Sequence, residues 1–393
     1  MKSAPVLMLP LLLIVVLGVL AVTPRATDEP KNTLNVGASY MTFWGTGMNN
    51  DWPTGSVYWP ILGNYSSSNA SIASQHIKMA ISHNITFFLL DYGWGNPSER
   101  DLMESAAING LINASEGTEA AKNFNFCIFY FPDDGISGTV VNKTGLEKDF
   151  QHMNETYFKH SSYLRLNGSN VVILADFPKY LKTTTPASEI NDEFWNLTEK
   201  YELYLVPALW PNWNNDTQCA VLNDSNTRTP PVYSAITLWG DTTIIDWNKT
   251  ISYSEYFTKT KDNFEKWNKT ARQDYGVDFV PFICPGYNNL IYTHMQNLTW
   301  WAIVTRNPQV WNDTYQLACL YANSTSNSLH MILIFTWNDF KEGTSIEPTE
   351  DYGSTYLNAI LLIPEFPSTV LLSLFMVVTL LATIIYRKNG KRS

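Results

Sequence analysis

Along the body of the chain, short apolar runs alternate with longer stretches in which apolar residues recur at helical spacing. The runs are Val36 to Phe43, Ile85 to Leu90, Phe124 to Phe131, Val171 to Ala175, Leu203 to Leu209, Val232 to Leu238, Phe279 to Cys284 and Met331 to Thr336. They are rich in β-branched and aromatic residues, and a run as apolar as His330 to Phe335 reads as a strand buried on both faces. Between them, Ile72, Ala73, Ile77, Ala80 and Ile81 repeat every three to five residues, as do Ile190, Phe194, Leu197 and Tyr201. Further helices are expected over Ser252 to Arg272, Gln309 to Ala322 and Tyr352 to Leu361. Strands alternating with helices imply a parallel sheet, and eight pairs predict a single α/β domain, a (β/α)₈ TIM barrel over residues 35–361. The fifth pair is the exception, since Asn212 to Pro231 is polar and shows no clear helix. An open doubly wound sheet is the alternative, but no Gly-X-Gly-X-X-Gly turn follows any strand.

The ends read differently from the body. Val6 to Val22 is an apolar run behind Lys2, followed by polar residues, the layout of a secretory signal peptide over residues 1–26. Ser368 to Tyr386 is an uninterrupted apolar segment long enough to cross a bilayer. The tail 387–393 carries Arg387, Lys388, Lys391 and Arg392, which predicts a cytoplasmic end and a barrel held outside on a short stalk, 362–367. Asn-X-Ser/Thr recurs through the body, from Asn64 and Asn69 to Asn312 and Asn323, in keeping with a glycosylated protein outside the cell.

Composition narrows the chemistry. A formal charge of −10 argues against a nucleic-acid partner, which needs a basic stripe. The four cysteines, Cys127, Cys219, Cys284 and Cys319, are too few to scaffold 393 residues, and Cys127 and Cys284 fall inside apolar strands and read as core. No His-Glu-X-X-His, Cys-X-X-Cys pair or Gly-X-Ser-X-Gly occurs, so no metal or other cofactor is expected. His76 and His83 lie on a barrel helix far from the strand ends and read as surface or packing residues.

In a barrel the carboxyl ends of the strands meet on one face. The residues that follow them here are Tyr40 and Trp44; Asp91, Tyr92 and Trp94; Asp133 and Asp134; Asp176; Trp210 and Trp213; Trp239 and Asp241; Tyr287 and Asn288; and Asn338, Asp339 and Glu342. Acids and aromatics suit carbohydrate, whose C–H faces stack on rings and whose glycosidic bond is cleaved by a pair of carboxyl groups. Asp339 and Glu342 are three residues apart, which on a helical turn presents both on one face. Two close carboxylates raise one another's proton affinity, so one can act as acid while the other acts as base.

The sequence resembles glycoside hydrolase family 99, the endo-α-mannosidase and endo-α-mannanase group. The likeness runs through Gly37-Ala-Ser-Tyr40 and Trp44, Pro60-Ile-Leu-Gly63, His76-Ile-Lys-Met-Ala80, Ile85 to Asp91 and Tyr157 to Gly168. It continues with Pro285-Gly-Tyr287 and ends with Trp337-Asn-Asp-Phe-Lys-Glu-Gly343 and Glu347-Pro348. The resemblance implies a retaining endo-acting enzyme on α-linked oligo- or polysaccharides. In it Asp339 would deprotonate the sugar's 2-hydroxyl and Glu342 would serve as acid and base, with Tyr40, Trp44, Asp91, Trp94, Trp210, Tyr287 and Asn338 lining the groove. The family carries Glu where this chain has Asp339, one methylene shorter. The order Asp then Glu also resembles the family 71 α-1,3-glucanases. Pro364-Glu365-Phe366 is similar to the sorting tails of archaeal surface proteins, which implies processing by a sortase-like protease. Two other functions stay open, a catalytically silent glycan-binding envelope protein and a polysaccharide-assembly transferase.

Overall fold

The computed structural model describes residues 34–361 apart from 48–51, 53–57, 94–96, 118–120, 132–142, 176, 178–185, 210–215, 240–247, 296–298, 300 and 325–327. The expected signal peptide, stalk, membrane span and tail therefore lie outside the described residues, as do Trp94, Asp133, Asp134, Asp176, Trp210, Trp213 and Asp241. Among the described residues no helix is long and apolar enough to cross a membrane.

The sheet is parallel and runs β1 (Asn35–Tyr40), β2 (Phe87–Tyr92), β3 (Asn125–Tyr130), β5 (Ser169–Leu174), β6 (Leu203–Leu209), β7 (Ala235–Leu238) and β9 (Asp278–Val280). At the other edge β1 pairs with β13 (Met331–Ile334), and β13 pairs with β10 (Phe282–Ile283). Only Pro281 separates β9 from β10, so the two are one stave and the ring closes with eight staves, each on one of the eight expected runs. Proline has no N–H to give a ladder, which interrupts the stave there, while its carbonyl still accepts from Leu333 at 2.8 Å. A short β4 (Arg165–Leu166) folds back on β5.

The staves are fully apolar because both faces are covered. β13 is buried throughout, and its neighbours Val36, Ala38, Phe282 and Ile283 are 0–2% exposed. Gly37 stands beside Phe87 in register, and a Cβ there would fall 2.2 Å from the Phe87 ring, so the β1–β2 contact admits only glycine.

The helices form where caps and apolar faces coincide. Asn69 caps α1 (Ala70–Ser82) by accepting from Ser71 N. After β2 come α2 (Pro97–Ala107), a π-helical turn Ile108–Ile112 and α3 (Asn113–Gly117). After β3, α4 (Lys143–Met153) also runs into a π turn, Asn154–Phe158. In α5 (Ala187–Tyr201) the expected Ile190, Phe194, Leu197 and Tyr201 form the buried face. The polar stretch after β6 does contain a helix, α6 (Asp216–Asn226), against expectation. Its burial rests on Val221, Leu222 and Ser225, which is too little apolar surface for periodicity to reveal.

In α7 (Tyr253–Gln273), Ser252 accepts from Glu255 N at 3.1 Å in a Ser-X-X-Glu start. A short α8 (Leu290–Met295) follows, and α9 (Pro308–Ala322) is capped by Asn307 with Pro308 in its first turn. The last helix, α10 (Thr355–Asn358), is shorter than expected and ends in a 3₁₀ turn, Ala359–Leu361. One feature of the fold went unforeseen, a small sheet of β8 (Lys249–Ile251), β11 (Tyr287–Asn288) and β12 (Ala302–Val304) that holds Tyr287 in place.

Candidate active site

The loop after β13 is knitted by its own polar residues. Thr336 Oγ1 accepts from Asp339 N at 2.9 Å and meets Thr344 Oγ1 at 2.9 Å, while Thr344 N donates to the Asp339 carbonyl at 3.1 Å. Asp339 Oδ1 accepts from the N–H of Lys341 at 2.9 Å and of Glu342 at 3.0 Å. The segment is thus an Asp-capped turn over Phe340 to Gly343 and not a helix. One carboxylate oxygen of Asp339 fastens the turn that carries Glu342, which makes the two acids one unit.

Burial raises the Asp339 pKa, opposed by the Glu342 N–H, the nearby Lys341 charge and the Lys341 N–H. Lys341 lies over the Phe43 and Trp44 rings at 4.1 and 5.1 Å. Glu342 is half-buried, and Tyr287 donates its hydroxyl to Glu342 Oε1 at 3.3 Å. The Tyr292 hydroxyl is close enough that Glu342 and Asp339 help hold its proton on, after burial itself.

Asp91, from the end of β2, faces the same unit. Ser39 donates to it at 3.4 Å, and burial together with the Asp339 charge lifts its pKa to about 8, against the weak opposing effect of Ser39. At neutral pH this carboxyl holds its proton in the folded protein, as two neighbouring acids in a dry site cannot both ionise cheaply. The strand ends therefore deliver a neutral acid, Asp91, beside Asp339 and Glu342.

Three other expected groove residues have different surroundings. Tyr40 and Trp44, expected to line the groove, are fully buried. Tyr40 packs on Phe88 at 4.7 Å and bonds His76 Nδ1 at 2.9 Å; Trp44 stacks on Trp52 at 4.3 Å and donates to the Asn338 carbonyl at 2.9 Å. Asn338 is equally buried, accepting from Met41 N at 2.7 Å and donating to Met41 O at 3.0 Å. Its side chain thereby ties the end of β1 to the Asp339 turn. At the mouth, Trp239 is half-buried and stacks on Phe129 at 5.4 Å.

His76 takes the second of its two expected roles, a packing residue, though through Tyr40 it does meet a strand end. It is completely buried, with Nε2 3.2 Å from Glu347 Oε1, and Tyr65 donates to Glu347 Oε2 at 2.7 Å and receives from Asn338 Nδ2 at 3.2 Å. A buried chain of hydrogen bonds thus runs from Tyr40 through His76, Glu347 and Tyr65 to the residue before Asp339. Helix α1 turns one face to the core, and His76 lies on it with Ala73, Ile77 and Ala80, which a count from the strand ends does not reveal. His83 lies nearer the surface, bonded to Asn358, as expected.

Arg306 was also missed. It donates to the carbonyls of Gly343 at 3.2 Å and Ser345 at 2.7 Å, and its guanidinium lies 3.8 Å from the centre of the Tyr356 ring. It clamps the far end of the same loop. The only sequence signal would have been an arginine within an otherwise uncharged, aromatic neighbourhood. Cys127, Cys284 and Cys319 are buried; Cys127 lies inside β3 as expected, whereas Cys284 falls just past the end of β10, its thiol donating to the Gly286 carbonyl at 2.8 Å.

A closed ring of eight parallel staves with helices between them defines an α/β barrel of the (β/α)₈ class. The chain belongs to the family described as Glycosyltransferase WbsX, whose model matches residues 59–360. Among solved structures it resembles a glycoside hydrolase-like protein at 17% identity, covering 84% of this chain and 93% of that one with a TM-score of 0.60. It is also similar to the family 99 endo-α-mannosidase of Bacteroides thetaiotaomicron in complex with Bis-Tris-propane, at 17% identity, 83% and 95% coverage and a TM-score of 0.57. An exo-β-1,4-mannosidase from Opitutaceae bacterium strain TAV5 follows at 11% identity and a TM-score of 0.50, covering 84% of this chain and 58% of that one. No curated protein matches the sequence.

Proposed function

We propose that the protein is a retaining endo-α-glycosidase acting on α-linked, mannose-containing or related glycans. The observation that carries this reading is the Asp339 turn, in which one carboxylate fixes the backbone of the other acid while Asp91 and Tyr287 flank the pair. The similar family 99 fold supports the substrate class.

In the first step Asp339 takes the proton of the sugar's 2-hydroxyl, and that oxygen attacks the anomeric carbon. The bond to the leaving oxygen breaks as Glu342 gives that oxygen a proton. In the second step Glu342 takes a proton from water, the water oxygen attacks the anomeric carbon as the bond from that carbon to the 2-oxygen breaks, and the 2-oxygen recovers its proton from Asp339. Two inversions leave the configuration retained. Asp91, neutral at pH 7, donates a hydrogen bond to a substrate hydroxyl, and Tyr287 keeps Glu342 aimed. The same chemistry ends in transfer if a sugar hydroxyl replaces the water, and the WbsX family description favours keeping this second reading. We further propose that the apolar segment Ser368 to Tyr386 anchors the barrel outside the cell, where such polymers are found.

The test is release of reducing ends from α-mannan, α-1,3-glucan and high-mannose oligosaccharides by the purified protein, beside Glu342→Gln. Oligosaccharide products that disappear in the variant support hydrolysis. Longer products, formed only when an acceptor sugar is added, would move the assignment to transfer. Binding without any product would overturn the enzymatic reading in favour of a silent glycan-binding barrel.

A further inference from the structure

Outside the end of β2, between α2 and α4, lies a cavity of about 320 Å³. Its position is unusual. Elsewhere the contact between staves and helices is made by Ile77, Phe194, Phe264 and their like, whereas this one is lined by Arg100, Glu104, Asp149, His152, Tyr92 and Tyr157. Apart from Tyr157 these groups are partly exposed, so the cavity opens to solvent and its wall presents polar atoms to what enters it.

The pairing is ordered. Glu104 Oε2 accepts from Tyr157 at 3.1 Å and lies 2.6 Å from His152 Nε2, and Asp149 Oδ2 accepts from Tyr130 at 2.7 Å. Burial lifts the Asp149 carboxyl, with Tyr130, Arg100 and His152 acting against it. Helix α4 runs into a π turn, and Tyr157 projects from it into the cavity wall. Single π turns in α-helices are commonly kept where they aim a side chain at a ligand.

We infer that this cavity is a side subsite for a neutral pyranosyl unit, a branch sugar of the glycan held at the barrel mouth. This rests on the glycan-directed reading of the Asp339 and Glu342 site. Three features select that ligand class. Acids and bases alternate around the wall, Arg100, Lys148 and His152 against Asp101, Glu104 and Asp149, so it selects neither an anion nor a cation but offers acceptors and donors to hydroxyls. Tyr92, half-buried in the wall, supplies a ring against which C–H groups pack. The volume is at the lower end of ligand sites, about 300 to 1,000 Å³, which suits one sugar ring and not an extended chain. Asp91 lines the cavity, and the carboxyl of the same residue senses Asp339, so the cavity adjoins the acids at the mouth and a branch on a sugar held there has only a short way to reach.

The experiment measures kcat/KM on a linear oligomannoside and on the same backbone carrying single-mannose branches, for the full chain and for Lys148→Trp and Asp101→Trp. Both replaced side chains are exposed at the rim, so each indole plugs the opening without touching the core, and either variant serves if the other fails to fold. The branched-to-linear ratio is expected to fall on the order of tenfold, the loss of one or two hydrogen-bonded contacts. An unchanged ratio in both folded variants overturns the subsite while leaving the glycosidase assignment standing. If the wild type cleaves neither substrate, binding is read instead, by saturation-transfer NMR with methyl α-mannoside on Glu342→Gln. Signal abolished by the tryptophan plugs then supports the subsite without the hydrolase, and signal that the plugs leave intact overturns it.

Discussion

At the scale of single residues, roles follow from which atoms are already engaged. Asp339 commits Oδ1 to two backbone N–H groups, so it builds the turn that carries Glu342, and the proposed chemistry falls to its other oxygen. Glu342→Gln retains that turn and removes the proton donor, so kcat is expected to fall on the order of a thousandfold with the thermal midpoint unchanged, measured by steady-state hydrolysis and calorimetry. Tyr287→Phe removes one bond to Glu342 and is expected to cost about 1.5 kcal/mol in kcat/KM, roughly tenfold, without altering the stereochemistry of the product. A loss no larger than twofold would mean that the bond is not made in the working enzyme. Asparagines show how misleading residue type can be alone. Asn69 caps α1, Asn323 ends α9, and Asn84, Asn167 and Asn248 take positive φ, so several sequons also have a structural reason to carry asparagine.

At the scale of elements, the joints between strands and loops explain the geometry of the mouth better than any strand does. Gly93 turns the chain out of β2 with φ +97°, and a Cβ there would meet the Phe131 carbonyl oxygen at 2.0 Å. Gly93→Ala is expected to destabilise the protein by roughly 2 kcal/mol, read from denaturant unfolding, through strain beside Asp91. The link between α1 and the loop after β13 is the His76 and Glu347 pair, 0% exposed on both sides. Removing one partner leaves a buried carboxylate poorly compensated, so His76→Ala is expected to lose about 3 kcal/mol. The double change His76→Leu with Glu347→Leu is expected to lose less than the two single changes together. Additive losses in that cycle would show the pair to be uncoupled.

At the scale of the whole molecule, the buried acids set the response to pH. Asp91, Asp149 and Asp339 all have folded pKa values above the ordinary carboxylate range, Asp91 from 3.8 to about 8. A folded state that binds protons more tightly than the unfolded chain loses stability as pH rises between the two pKa values. The thermal midpoint is therefore expected to decline from about pH 4 to about pH 8, and Asp91→Asn is expected to flatten the decline. A midpoint that rises across that window, or an Asp91→Asn profile identical to wild type, would contradict the raised pKa. Turnover is expected to fall above about pH 8 for the same reason, as a second negative charge forms beside Asp339.

The architecture was written in local pattern. Eight buried runs must pair in parallel because helices intervene, and the chain rule for such units leaves a barrel with its site at the strand ends, where Asp91, Asp339 and Glu342 meet. The helix start at Ser252 was readable for the same reason, since a cap acts over three residues, and the helix expected from Gln309 begins one residue earlier, at Pro308. What tertiary structure alone decided is every contact between residues distant in the chain. His76 finds Glu347 across 271 positions, Arg306 reaches Gly343 across 37, and Tyr40 and Trp44 are carried inside where their position after a strand suggested a groove. The polar cavity behind β2 also arises only when two helices from different units are laid side by side. Periodicity reports the face a residue presents to its own element, whereas burial and partner depend on which other element the closed barrel brings to that face.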